Sequence, residues 1–161
     1  MISSLSGDGR IWIYVAKRSL NDSEVSQIKS KLADFCSSWA AHGNQLSAGF
    51  EVYYNQILVL AVDENVAPAT GCSIDSANAT FQEIETEMGL DLFNRMNLAF
   101  VDDERVRLIK MNDLNQAYRS GLINEDSRFL DNTISTLADF RERWEVRFDT
   151  AWAYKRIKVT V

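Results

Sequence analysis

Arg10-Ile11-Trp12-Ile13-Tyr14-Val15-Ala16 gives way, four residues later, to Asn21-Asp22-Ser23-Glu24-Val25, and the reading of this junction decides the fold class. In the first stretch Ile11, Ile13 and Val15 alternate with Trp12, Tyr14 and Ala16, so both faces of the strand it predicts are largely apolar, which suits a central place in a sheet. In the second, Asn21 caps a helix, Glu24 completes a capping box, and Leu20 with Val25 forms a hydrophobic staple. Val25, Ile28, Leu32, Phe35 and Trp39 follow at a 3-4-3-4 spacing that puts five large side chains on one helical face. His42 continues that stripe at the helix C-terminus, and Gly43 supplies a left-handed stop.

Working outward, Leu46 to Tyr54 alternates and Ile57 to Val62 is continuously apolar, with Asn55-Gln56 between them, which predicts a hairpin. Pro68 and Gly71 punctuate the approach to a second helix with the stripe Ile74, Ala77, Phe81, Ile84 and Met88, ended by Gly89. Asn97 to Val101 and Arg105 to Met111 predict another hairpin. The order β-α-β-β-α-β with one extra strand is that of an α+β, ferredoxin-like sandwich, two helices on one face of an antiparallel sheet. The sequence is therefore expected to form one domain over residues 1–161, with a core at about 10–111 and a C-terminal helical and aromatic extension at about 112–161. That extension holds two shorter helical patterns, Asp113 to Ser120 and Thr133 to Trp144. Trp144, Phe148 and Trp152, at four-residue intervals, predict one aromatic stripe if helical.

Bulk properties bound the function. The 161 residues are 46% apolar with one proline, enough for a packed core without disulfides or a structural metal. Residues 1–10 carry no basic start followed by an apolar run, and no apolar run approaches membrane-spanning length, so a cytoplasmic protein with free Cys36 and Cys72 thiols is expected. A net charge of −6 opposes binding to nucleic acid and to anionic membranes. Basic residues concentrate at the end: 141–161 hold six against three acidic, while 1–140 hold eleven against twenty. The tail's aromatics are accordingly expected to brace their own domain or to hold a homodimer, rather than to stack on nucleotides.

The segment with most chemistry is Thr70-Gly71-Cys72-Ser73-Ile74-Asp75-Ser76, where a loop leaving a buried strand enters a helix. Helix-start amides lack partners and bind phosphate or carboxylate, and the helix field favours a thiolate. Gly71, Ser73, Asp75 and Ser76 are thus candidate ligand-binding residues for a small anion or a partner's carboxylate, and Cys72 is a candidate nucleophile with His42, the sole histidine, as its base. The plainer reading is that Ser73 or Asp75 caps the helix, Cys72 is a small packed residue and His42 a helix-terminal one. Arg95, between the second helix and the next strand, is a further candidate for an anion, with an ion pair to Asp91 as its structural reading. Asp63, Glu64 and Asp75 are carboxylates in turns and first helical turns. With neither cysteine in a ligand spacing, no metal and no cofactor is expected.

With Arg10-Ile11-Trp12-Ile13-Tyr14, Trp39-Ala40-Ala41-His42-Gly43, Gly71-Cys72-Ser73-Ile74-Asp75-Ser76 and Leu92-Phe93-Asn94-Arg95-Met96 in this order, the chain resembles, from about Arg10 to Trp152, a family of small uncharacterised bacterial proteins often labelled ABC transporter ATPases. The resemblance does not imply ATP hydrolysis. A nucleotide-cradling loop needs the pattern G-x-x-x-x-G-K-S/T, which is absent here, and Gly71 is followed by Cys72 rather than lysine.

Overall fold

The computed structural model describes residues 2–6, 9–65 and 67–157, and they pack as two compact units, one of residues 1–93 with 135–141 and the other of residues 94–134 with 142–161. The fold is mixed helix and antiparallel sheet, as the α+β reading expects.

In the first unit β1 (Arg10–Val15), β4 (Ser47–Tyr53) and β5 (Ile57–Asp63) form an antiparallel sheet in the order β1-β5-β4. The register pairs Trp12 with Leu60 and Tyr14 with Leu58, and Phe50 and Val52 with the same two leucines, so these side chains share one face. Helices α1 (Asp22–Ser38) and α2 (Gly71–Met88) bury Ile28 and Leu32, and Ala77, Phe81 and Ile84, in the same core cluster. Each such large side chain removed from water contributes about 1.5–3 kcal/mol. The capping box is built as read: the Asn21 side chain accepts from the Glu24 amide and the Glu24 carboxylate accepts from the Asn21 amide.

The opposite face explains why β1 and β5 are apolar on both sides. Ile11, Ile13, Ile57, Val59 and Ala61 are all buried there. Residues returning late in the chain close that side: the Ser135 carbonyl accepts from Ile11 N–H at 3.0 Å, the Phe140 ring lies 5.5 Å from Tyr53, and Arg141 donates to the Ile2 and Leu5 carbonyls. Gly9 is required at the edge, because a Cβ there would stand 2.5 Å from the Val62 carbonyl oxygen.

The fourth strand of a ferredoxin-like sandwich does not join this sheet. β6 (Asn97–Asp102) and β7 (Arg105–Lys110) form the expected hairpin, but in a separate four-stranded sheet of order β7-β6-β8-β9, with β8 (Arg128–Leu130) and β9 (Glu145–Arg147). The β8 and β9 stretches are three residues each, too short to show alternation in the sequence. β8 pairs with β6 and β9 with β8, and together they bring Phe129, and Phe148 just after β9, to Phe100, at 5.2 and 5.1 Å between ring centroids. The second core therefore combines strands expected in the first with the tail. Leu98, Phe100 and Ile109 pack with Leu114 and Ala117 of α3 (Leu114–Arg119) and with Phe129, Phe148 and Ala153.

Two local readings are corrected as well. Helix α1 ends at Ser38, and Trp39 is already extended, because the next residues form a two-stranded ribbon, β2 (Ala40–Ala41) with β3 (Asn44–Gln45). His42 and Gly43 are its turn, with φ of 50° and 79°, the double positive φ of a type I′ hairpin. Trp144, Phe148 and Trp152 do not form a helical stripe either. Helix α4 (Leu137–Arg143) stops before Trp144, and Phe148–Thr150 and Trp152–Arg156 are separate 3-10 turns after β9. Trp152 packs 6.3 Å from Phe129 and donates its indole N–H to Asp131 at 3.2 Å, within its own unit.

Candidate functional site

The start of α2 is capped by Thr70, a residue the sequence reading passed over for Ser73 and Asp75. Thr70 is extended, at ψ 170°, and its Oγ1 accepts from the Ser73 amide at 3.3 Å. The Ser73 hydroxyl returns to the Thr70 main chain, accepting from its amide at 2.7 Å, so Ser73 serves as the N3 partner of a capping box built from two hydroxyl residues. The Thr70 carbonyl accepts from Ile74 N–H at 2.9 Å. These bonds consume the amides of Ser73 and Ile74. Those of Gly71 and Cys72 have no partner among the described residues, which is the ordinary condition of a helix start with only one capping side chain.

The β2–β3 ribbon brings His42 to this place. Trp39 is buried, and its indole N–H donates to the Ser73 carbonyl at 2.8 Å, fixing the first residue of the ribbon segment to the first turn of α2. The Trp39 carbonyl accepts from Leu46 N–H at 2.8 Å, and the Gln45 side chain donates to the Ser37 carbonyl at 2.8 Å, so the ribbon is tied at both ends. Phe35 and Trp12 pack on the Trp39 ring, at 5.0 and 5.8 Å. A cleft of about 450 Å³ results, lined by Ala40, Ala41, His42, Thr70, Gly71, Cys72, Ser73 and Ser76. His42, Cys72 and Ser76 are exposed, Thr70 is half-buried and Ser73 is buried. Ser76 turns its hydroxyl back to the Cys72 carbonyl at 3.0 Å.

The structure thus brings His42, Gly71, Cys72, Ser73 and Ser76 to one cleft. Ser73 reaches it as a capping residue with its hydroxyl engaged. Asp75 is exposed and lies outside the lining, which spares the cleft one like charge against an anion. Arg95 belongs to the second unit and is exposed there. Asp63 accepts from Ser6 and from the Asn65 amide, both at 2.9 Å, while Glu64 pairs with Arg10 at 2.6 Å, so these carboxylates serve the strand end. Among the described residues no group of histidine, cysteine and carboxylate side chains is placed to hold a metal ion.

The two thiols differ in setting. Cys36 is partly buried on α1, and burial pushes its pKa up to about 11, whereas Cys72 stands exposed at the cleft. Two residues that make the site were not singled out as site residues by sequence. Thr70 sits in a Thr-x-x-Ser pattern, which lacks the acidic or amide N3 residue that usually marks a capping box. Trp39 reads as one more member of an apolar stripe, and only its bond to Ser73 distinguishes it. No protein-family model, no curated protein and no solved structure matches the chain.

Proposed function

We propose that the protein binds a small anionic ligand, a phosphate or a carboxylate, in the cleft at the start of α2. The observation that carries this reading is that the Gly71 and Cys72 amides, without partners among the described residues, belong to residues that line a cleft also flanked by His42. Helix-start amides supply short, oriented donors, and the partial positive charge of the helix end adds to them. Thr70 and Ser73 hold the turn open by satisfying each other instead of those two amides. The lining has no carboxylate to repel an anion.

The test is an amide-resolved NMR titration with inorganic phosphate and, separately, acetate. Saturable shifts centred on Gly71 and Cys72 support the reading. Shifts spread evenly over exposed amides, with no saturation at concentrations of a few tens of millimolar, reject it.

A second reading is favoured by one observation: Cys72 and the only histidine line the same cleft, despite a separation of thirty residues. In that reading Cys72 is a nucleophile and His42 its base. Iodoacetamide decides it. An enzyme of this kind is alkylated at Cys72 much faster than free cysteine at neutral pH, and the rate falls in His42→Ala. Alkylation at the free-cysteine rate leaves the binding reading alone.

A further inference from the structure

The second unit presents an open sheet edge of unusual charge. β7 ends the order β7-β6-β8-β9, and its six residues pair with β6 without a bulge, from Asn97 with Lys110 to Asp102 with Arg105. The hairpin closes over Asp103 and Glu104, both at positive φ, and Met111 N–H donates to the Met96 carbonyl at 2.8 Å. In an antiparallel pair, hydrogen-bonding residues alternate. The Met96–Met111 bond therefore sets Arg105, Arg107 and Ile109 toward β6, and turns the N–H and C=O groups of Val106, Leu108 and Lys110 outward. The N–H and C=O groups of Val106 and Leu108 and the N–H of Lys110 have no partner among the described residues, while the Lys110 carbonyl caps the 3-10 turn Met111–Asp113.

Proteins blunt such edges with proline, bulges or charge. β7 has neither proline nor bulge, and its defence is cationic: Arg105, Arg107 and Lys110 alternate with Val106 and Leu108, which are half-buried. Arg107 pairs with Asp102, but Arg105 and Lys110 have no ion pair among the described residues, nor has Arg95 beside the Met96–Met111 end of the hairpin. This is unlike the first unit, where six basic residues face thirteen acidic; the second holds eleven against ten. Arg105 and Arg107 on one face of the strand and Lys110 on the other discourage pairing with a second β7 and suit a strand of opposite charge.

We propose that the outer edge of β7 binds an extended acidic peptide segment of a partner protein as an added antiparallel strand. Main-chain bonds to Val106, to Leu108 and to the Lys110 N–H hold the segment, and side chains set the preference. Residues opposite Arg105, Arg107 and Lys110 are acidic, and those opposite Val106 and Leu108 are apolar. Read antiparallel from Lys110, that pattern is acidic-x-apolar-acidic-apolar-acidic.

The probe is a fluorescein-labelled, end-capped peptide Glu-Thr-Val-Glu-Val-Glu, followed by anisotropy with the full chain. Binding should saturate at low ionic strength and weaken by about fivefold or more on going to roughly 0.15 M salt, because exposed charges are screened. Leu108→Pro removes an outward N–H at an edge position where proline is tolerated, and should weaken binding by about tenfold while circular dichroism stays unchanged. If that variant loses its fold, the double change Arg105→Glu with Lys110→Glu takes its place: it should abolish binding of the acidic peptide and confer binding of Lys-Thr-Val-Lys-Val-Lys. No saturable binding, equal binding of a scrambled peptide, equal competition by free glutamate, or full binding by a folded variant of either kind overturns the proposal.

Discussion

Gly71→Pro separates the stability of the α2 start from its use as a binding site, because it should raise one and weaken the other. Gly71 is the first residue of α2, the position where proline's fixed φ fits a helix and its missing N–H costs nothing internal. Three structural facts make the site compatible. Thr70 is already extended, the conformation a residue before proline requires. A Cβ at Gly71 meets no atom within 4 Å. The cap bonds run from Ser73 to Thr70 and from Ile74 to Thr70, so none is lost. Restricting the unfolded chain should then stabilise the protein by about 0.4–1 kcal/mol, or roughly 1–4 °C in Tm for a chain of this size. An anion loses one of two amide donors, and a hydrogen bond to a charged group is worth about 1.5–3 kcal/mol, so phosphate affinity should fall by about tenfold or more. Differential scanning calorimetry with and without phosphate reads both effects in one sample. A lower Tm without phosphate would refute the account of the Thr70–Gly71 geometry. An unchanged phosphate-induced rise in Tm would refute the assignment of the amides as donors.

Three further outcomes follow from particular contacts. Trp39→Phe removes the indole donor to Ser73 and part of a buried ring, which should cost about 2–3 kcal/mol in urea unfolding and shift the Cys72 and His42 NMR signals; a cost under about 0.5 kcal/mol would mean that the ribbon is held elsewhere. Glu85 accepts from the amides of Leu90, Asp91 and Leu92, at 2.9, 2.8 and 3.3 Å, and so organises the exit from α2; Glu85→Ala should cost about 2–3 kcal/mol, and a neutral result would show those amides satisfied without it. The Arg18 guanidinium, with the Asn21 amide, holds the Glu24 carboxyl down to about 2 from its ordinary 4.5. Its contribution is therefore complete above about pH 4.5 and is lost as pH falls through about 2, so the stability gap between wild type and Glu24→Gln should close across that window. A constant gap would show that the charge plays no part.

The junction from Arg10 to Val25 carried its own instructions, because strand alternation, the Asn21 cap and the Glu24 capping box are all local. The same holds for the αL stop at Gly89, whereas the turn of the first hairpin falls on Tyr54 and Asn55, both at positive φ, one residue before the expected Asn55-Gln56. Which sheet a hairpin joins is a different kind of fact. Asn97 to Lys110 has the pattern of a hairpin in either sheet, and its place was decided by Phe129 and Phe148, which meet Phe100 only when the three-residue strand β8 pairs with β6 and β9 with β8. Strands so short have no period to read, so the second sheet and the separate 3-10 turns of the tail were invisible in the sequence.

The cleft divides in the same way. Its helix start, its cysteine and its hydroxyls were legible in Gly71 to Ser76, since an N-terminal turn needs capping wherever it lies. That His42 would face them was not, because the sequence pattern of Trp39 to Gly43 continues a helix. The helix gives way to a ribbon in which Trp39, buried against Phe35 and Trp12, spends its N–H on Ser73. Local periodicity fixes what each segment becomes by itself; burial of a large ring and satisfaction of its one donor are properties of two segments together, and those fixed where the histidine stands.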